Sequence, residues 1–248
     1  MKSAITVFTD SSAYGKAALA HAQKLAQIFD ATINPVFPAE KPDFRAIFSA
    51  AEEGEVLCFV MPVAHSKKAT FFNINRAKKW IGRSRVPVIA VGNAEPKENH
   101  YQQIVLPLDT NCQDKELALW ASYFPTFLQK NCTNIPKENL LIHIIFNQYK
   151  NEIQQKKVQN NIDYVTKMFN SIAVSYKLHP FSKIDNIHTF GLEFGAKLEN
   201  SMMLLLMTQH YSFIDLLFGP VENRILGNRA QVPVLCLNAR DDIFMLCQ

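Results

Sequence analysis

The sequence predicts an α/β protein with two doubly wound parallel-sheet domains in tandem, the first of them shortened. Apolar, strand-like runs alternate with helical segments along the chain, and the runs are too continuous for a sheet with one wetted face. A Val-Pro-Val run follows a glycine-ended helical segment twice, around Pro87 and around Pro233. Two further apolar runs end at an aspartate, Asp10 and Asp109, before an Ala/Leu-rich segment. These echoes indicate an internal repeat.

The first half begins with a strand and a helix. Residues 4–9 form a short β-branched run, and Ser11 or Ser12 can cap the helix that continues to about Phe29. The remaining elements predicted in this half are a strand at 31–37, a helix at 42–51, a strand at 56–63, a helix at 75–81 and a strand at 86–91. Residues 92–102 are polar, contain Pro96 and are predicted to link two domains, 1–94 and 103–248.

The second half repeats this plan with an addition. A helix at 151–169 and a strand at 172–178 have no counterpart in the first half, so the first domain is predicted to be a shortened copy. The other predicted elements are strands at 104–108, 140–146, 201–207 and 232–237, and helices at 114–128, 187–198 and 221–226. Gly191 and Gly195 are interpreted as sites of close packing within a helix.

Composition excludes several classes of protein. The 248 residues are 48% hydrophobic, yet no apolar run approaches the roughly 18 to 20 residues of a membrane span. The chain enters its first strand directly, without the features of a signal peptide. The missing membrane span and signal peptide predict a cytoplasmic protein. The five cysteines are scattered and lack metal or redox spacing, which predicts reduced thiols, and no metal site is predicted.

Three stretches of the chain resemble the universal stress protein family, and the resemblance covers almost the whole sequence. They are Val7-Phe8-Thr9-Asp10-Ser11-Ser12, Ile104-Val105-Leu106-Pro107-Leu108-Asp109, and Gly219-Pro220-Val221-Glu222-Asn223-Arg224-Ile225-Leu226 leading to Val232-Pro233-Val234. The resemblance implies Rossmann-like domains with strand order 3-2-1-4-5. It also implies a stress-response or signalling role without catalysis.

The resemblance further implies ATP, or another adenine nucleotide, as a ligand of the C-terminal domain. The positions it assigns to this ligand are Leu108, Asp109, Gln209, Gly219, Val221, Glu222 and Asn223. The family pattern is G-x-x-G, nine further residues, then G-S/T; Gly219 matches the last glycine, whereas Leu206 and Gln209 replace the earlier two and Pro220 replaces the hydroxyl. Phosphates approach the main chain where side chains are absent, so these departures predict weakened or lost binding.

Simpler interpretations stand beside this one. Asp109, and more so Asp10, can be strand-end turn or helix-capping residues. His65 and His210 each follow a fourth strand, but neither has a second ligand at metal spacing, so both are interpreted as solvated loop residues.

The net charge of +4 is concentrated in a basic segment of the first half. Its members are Lys67, Lys68, Arg76, Lys78, Lys79, Arg83 and Arg85, with Phe71, Phe72 and Trp80 interspersed. The segment could bind a nucleic-acid backbone with stacking aromatics, but a solvated helix face with aromatics in the core is the favoured interpretation, so a nucleic-acid partner is not predicted. A degenerate interaction module that presents this face to an acidic protein remains an alternative, as does a nucleotide-hydrolysing or adenylating enzyme.

The repeat also predicts how the two halves meet. Strands from Val86 to Val91 and from Val232 to Leu237 would each be an open sheet edge. Antiparallel pairing between them would close both edges and form an intrachain pseudo-dimer, with a homodimer of the whole chain also left open.

Overall fold

The computed structural model of the protein describes residues 3–37, 43–54, 56–64, 72–111, 114–132, 134–182, 184–207 and 221–238. The chain forms two compact units. The first contains Met1–Glu98 and Met207–Asn238, and the second contains Asn99–Leu206. No helix in the described ranges is both long and apolar enough to cross a bilayer.

The first unit is a five-stranded sheet with helices. Its elements are β1 (Ala4–Phe8), α1 (Ala13–Phe29), β2 (Thr32–Val36), α2 (Phe44–Glu53), β3 (Val56–Pro62), α3 (Ile74–Ile81), β4 (Val88–Val91), α7 (Val221–Leu226) and β9 (Val234–Asn238). The strand order is β2-β1-β3-β4-β9. All neighbours are parallel except β4 and β9, which are antiparallel.

The second unit has a sheet of parallel strands in the order β8-β5-β6-β7. Its elements are β5 (Gln103–Leu108), α4 (Asp114–Asn131), β6 (Leu141–Gln148), α5 (Glu152–Ser171), β7 (Tyr176–Ser182), α6 (Ile187–Lys197) and β8 (Ser201–Met207). Every residue of β8 is buried, as its unbroken apolar run predicts.

The predicted α/β class with mostly parallel strands is confirmed. The additional helix and strand predicted in the second half are present as α5 and β7. The division into sequence domains 1–94 and 103–248 stays a prediction. The first compact unit contains β9 in addition to the first half of the chain.

The predicted pairing of the two Val-Pro-Val strands is confirmed. Ile89 lies opposite Leu235, and Val88 and Ala90 lie opposite Cys236 and Val234. The strands begin later than predicted, at Val88 and Val234, since proline has no N–H to donate to a sheet. The pseudo-dimer interpretation and a homodimer of the chain stay predictions.

The predicted start of β7 is wrong by four residues. Helix α5 continues to Ser171, and Ala173 then adopts a left-handed backbone with φ 55°. The N–H of Val174 returns to the carbonyl of Phe169, which closes the helix end and delays the strand to Tyr176.

Candidate functional site

Asp109 lies directly after β5, at the carboxyl end of the strand. Strand β5 pairs with β6 on one side and with β8 on the other, and all three run parallel. The chain moves outward from β5 to β6 and β7, then crosses back to β8, so the strand order reverses beside β5. Ligands of open α/β sheets bind at such a reversal, outside the carboxyl ends of the strands.

The Asp109 side chain is held by a tyrosine from the neighbouring strand end. Tyr149 follows β6, and its hydroxyl donates to Asp109 Oδ1 at 2.6 Å. The same oxygen accepts the N–H of Thr110 at 2.8 Å. Asp109 and Tyr149 are both half-buried, and these two hydrogen bonds position the carboxylate.

Two side chains of helix α5 hold the backbone around Asp109 and Tyr149. Asn161 is 4% exposed, and its amide donates to the carbonyl oxygens of Asp109 at 2.8 Å and Asn111 at 2.9 Å. Gln155 Oε1 accepts the backbone N–H of Tyr149 at 2.8 Å. Asp109, Tyr149 and Asn161 are called the Asp109 cluster below. Their contacts make the loop after β5 a defined structure in which both carbonyls are satisfied.

The phenol of Tyr149 is protonated at neutral pH. Burial, followed by the hydrogen bond and the negative charge of Asp109, raises the pKa of Tyr149 to about 12. The phenol therefore stays a hydrogen-bond donor at neutral pH.

Asp10, the equivalent residue of the first half, is enclosed by its own helix. Asp10 Oδ1 accepts the N–H of Ser12 at 3.0 Å and also contacts the Ser12 hydroxyl, while Ser12 caps α1 through the N–H of Gly15. A Cβ at Gly15 would lie 2.3 Å from the Asp10 nitrogen, so the first helical turn presses onto this residue. These contacts agree with the strand-end turn interpretation.

The other residues assigned to the nucleotide lie in different surroundings. Leu108 is fully buried in β5, so its side chain belongs to the core. Glu222 is 3% exposed, and its charge helps raise the pKa of Cys236, so its carboxylate lies near β9. Val221 and Asn223 belong with Glu222 to α7 in the first unit. Gln209 and Gly219 are outside the described residues, as are His65, His210 and Pro220.

A histidine pair in the second unit was not predicted. His143 Nδ1 lies 3.0 Å from His179 Nε2, and His143 Nε2 lies 2.7 Å from Gln103 Oε1. The amide of Gln103 donates to Asn139 O at 2.6 Å, so its oxygen faces His143 and must accept. His143 is thereby fixed as the Nε2–H tautomer, which accepts a hydrogen bond from His179.

This geometry describes a hydrogen bond rather than a chelate. The 5.2 Å between the two ring centroids nearly equals the N···N distance plus the two ring radii, so the nitrogens face each other head-on. Burial and the charges of His179 and Lys177 lower the pKa of His143 to about 4, and burial also lowers the pKa of His179. Among the residues that the structure describes, no group of three or more His, Cys, Asp or Glu side chains could hold a metal ion.

The basic segment is divided between solvent and core. Arg76, Lys79, Arg83 and Arg85 are exposed on or just after α3. Phe72 is fully buried and packs against Phe8 and Trp80, so it is not available for stacking on a base. Lys67, Lys68 and Phe71 lie outside the described residues.

Three solved structures resemble the chain over nearly its whole length. A universal stress protein from Archaeoglobus fulgidus is 14% identical, with a TM-score of 0.60 and coverage of 96% of this chain and 97% of that one. A functionally unknown protein from Pseudomonas aeruginosa PAO1 is 11% identical, with a TM-score of 0.54 and coverage of 98% and 84%. A putative universal stress protein from Pseudomonas aeruginosa UCBPP-PA14 is 12% identical, with a TM-score of 0.55 and the same coverage.

Comparison by sequence adds no relative, since no protein-family model and no curated protein matches the chain. The structural likeness extends over 96% or more of this chain. The chain therefore has the α/β fold of the universal stress proteins.

Proposed function

We propose that this chain is a non-enzymatic stress-response or signalling protein of the universal stress protein type, which weakly binds an adenine nucleotide at the Asp109 cluster. The observation that carries the proposal is the position of Asp109 at the carboxyl end of β5, beside the reversal of strand order. The likeness to universal stress proteins supplies the functional class.

The chemistry of the cluster suits the polar part of a nucleoside. Asp109 offers a carboxylate acceptor, which pairs with sugar hydroxyls or an exocyclic amine. Tyr149 offers an aromatic ring and a hydroxyl beside it. Asn161 is already committed to the main chain of the loop and so supports the site rather than contacting a ligand.

The expected weakness has a cause in the sequence. Leu206 occupies a position at which the family pattern has glycine, and it is buried within β8. Gln209 and Pro220 likewise replace a glycine and a hydroxyl residue. A phosphate chain would therefore find fewer exposed backbone N–H groups than in a complete pattern.

Isothermal titration calorimetry with ATP, ADP and AMP tests the proposal on the whole protein. We expect a measurable heat at millimolar nucleotide, and its loss in Asp109→Asn. Asp163→Asn is the matched control, since Asp163 is an exposed aspartate on α5 of the same unit. An absence of heat with all three nucleotides would overturn nucleotide binding.

The non-enzymatic part of the proposal has a separate test. Incubation with ATP and measurement of released phosphate should give the background rate, because the loop after β5 carries no glycine to hold a phosphate. Release above background that disappears in Asp109→Ala would favour the nucleotide-hydrolysing alternative.

A second candidate function is an interaction module for an acidic protein segment. Helix α3 contains no acidic residue, and four basic side chains on or just after it are exposed. We expect retention of the protein on immobilised polyglutamate that falls with salt and falls further in the charge reversals Lys79→Glu and Arg83→Glu. Lys16→Glu, at an exposed position of α1, is the control, and retention insensitive to salt would reject this function.

A further inference from the structure

The hydroxyl of Tyr149 occupies the place at which Asp109 would bind a ligand donor. It approaches Asp109 Oδ1 to 2.6 Å, a distance typical of a strong O–H···O⁻ hydrogen bond. The N–H of Thr110 already donates to the same oxygen. A ligand hydroxyl aimed at this oxygen would therefore meet an acceptor that has two donors in place.

The backbone of Tyr149 is held in place, whereas its side chain lies at the partly exposed end of β6. Its N–H is fixed by Gln155 of α5, and the residues on either side of it, Gln148 and Lys150, are exposed at the end of β6. The ring is only half-buried. Rotation about the Cα–Cβ bond would move the hydroxyl away from Asp109 and from the side chain of Asn147, to which it is also hydrogen-bonded.

We infer that Tyr149 is an internal competitor for Asp109, whose hydroxyl takes the place of a sugar hydroxyl and sets the affinity and selectivity of the site. A ligand that carries a vicinal diol, as a ribonucleotide does, replaces the phenol with chemically similar donors. A ligand without these hydroxyls has no donor that can replace the Tyr149 phenol at the Asp109 carboxylate. The inference rests on the proposed nucleotide site and identifies the part of the nucleotide that Asp109 recognises.

Tyr149→Phe is the discriminating variant, because it removes the hydroxyl and keeps the ring. We expect it to bind ATP roughly tenfold more tightly than the wild type, the effect of one competing charge-assisted hydrogen bond. The same variant should show no gain for 2′,3′-dideoxy-ATP, which has no sugar hydroxyl to offer. Tyr164→Phe is the control, since Tyr164 lies exposed on α5 with its ring under Lys115.

Each outcome of the calorimetry has a definite meaning. A gain for ATP alone supports the inference. Equal or weaker binding by Tyr149→Phe, or an equal gain for the dideoxy compound or in Tyr164→Phe, overturns it while nucleotide binding stands. No heat with either protein overturns both the inference and the proposed nucleotide site.

Discussion

Ile89 and Leu235 face each other at the centre of the antiparallel pair formed by β4 and β9. They are also equivalent residues of the internal repeat, each lying two positions after the proline of a Val-Pro-Val run. On either side, Val88 pairs with Cys236 and Ala90 pairs with Val234. Since Val88 is equivalent to Val234 and Ala90 to Cys236, the pairing is symmetric about Ile89 and Leu235.

The first prediction concerns this symmetric pair. Both side chains are fully buried, so Ile89→Ala or Leu235→Ala should each lower the free energy of unfolding by about 2–5 kcal/mol. Because the residues are neighbours, the loss of unfolding free energy in the double variant should differ from the sum of the two single losses. Urea denaturation measures all three.

Leu119→Ala is the control for this series, because Leu119 is 42% exposed on α4. It should change the free energy of unfolding by no more than about 0.5 kcal/mol. Losses below that level for both buried residues would contradict the tight pairing of β4 and β9.

The second prediction concerns the end of α3. The amide of Asn238 donates to the carbonyl oxygens of Ile81 at 2.5 Å and Ser84 at 2.7 Å. The Ile81 oxygen also accepts the N–H of Ser84, so the Asn238 amide links β9 to the turn that ends α3. Asn238→Ala should therefore cost about 1–3 kcal/mol of stability, measured by urea denaturation. Asn160→Ala on the exposed face of α5 should cost much less, and equal losses in the two variants would refute the capping role.

The third prediction compares two glycines. A Cβ at Gly15 would lie 2.3–2.5 Å from atoms of Asp10, two of them backbone, whereas a Cβ at Gly82 would come no closer than 3.3 Å to Lys78 O. Gly15→Ala should therefore destabilise the protein by about 1–3 kcal/mol through overpacking. Gly82 has an ordinary helical backbone with φ −64°, so Gly82→Ala should be neutral or slightly stabilising. Thermal unfolding of the two variants distinguishes these cases, and equal effects would count against the enclosure of Asp10.

The fourth prediction is a pH dependence that arises at His143. Its folded-state pKa of about 4 lies below the ordinary value of 6.5, so the unfolded chain binds the proton more readily between these values. Stability is therefore full above about pH 6.5 and falls as the pH drops toward 4. The shift corresponds to at most about 3 kcal/mol, less wherever water near the ring screens the charge.

Urea denaturation between pH 4 and pH 7 tests this dependence. His143→Gln should be less stable at pH 7, because the hydrogen bonds to Gln103 and His179 are altered, but its stability should fall less on acidification. Leu119→Ala, which removes no titratable group, should keep the wild-type slope. An unchanged slope in His143→Gln would assign the acid sensitivity to other groups.

Hydrophobic patterning predicted the order of strands and helices because the buried strands are largely apolar runs bounded by polar residues. The repeat predicted even the pairing of β4 with β9. The start of β7 was missed because Ala173, and not a glycine, adopts the left-handed turn that ends α5. Nothing in the local sequence marks an alanine for that conformation.

The candidate site was predicted only in part. Asp109 was selected because it ends an apolar run, and its role in binding stays a prediction. Tyr149 follows β6 at the same edge of the sheet but was not selected. Asn161 comes from the middle of α5, where one polar residue among many carries no mark of its role. The histidine pair was missed for the same reason: Gln103, His143 and His179 meet only through the registration of three strands.

The pairing of β4 with β9 also constrains how the chain matures on the ribosome. Ile81 and Asn238, which this part of the structure joins, are 157 residues apart in sequence. While the intervening chain is being synthesised, the border of β4 has no strand to cover it and resembles the edges that drive aggregation. The sheet of the first unit is therefore completed only after β9 has been synthesised, and we expect the uncovered edge of β4 to need chaperones during translation.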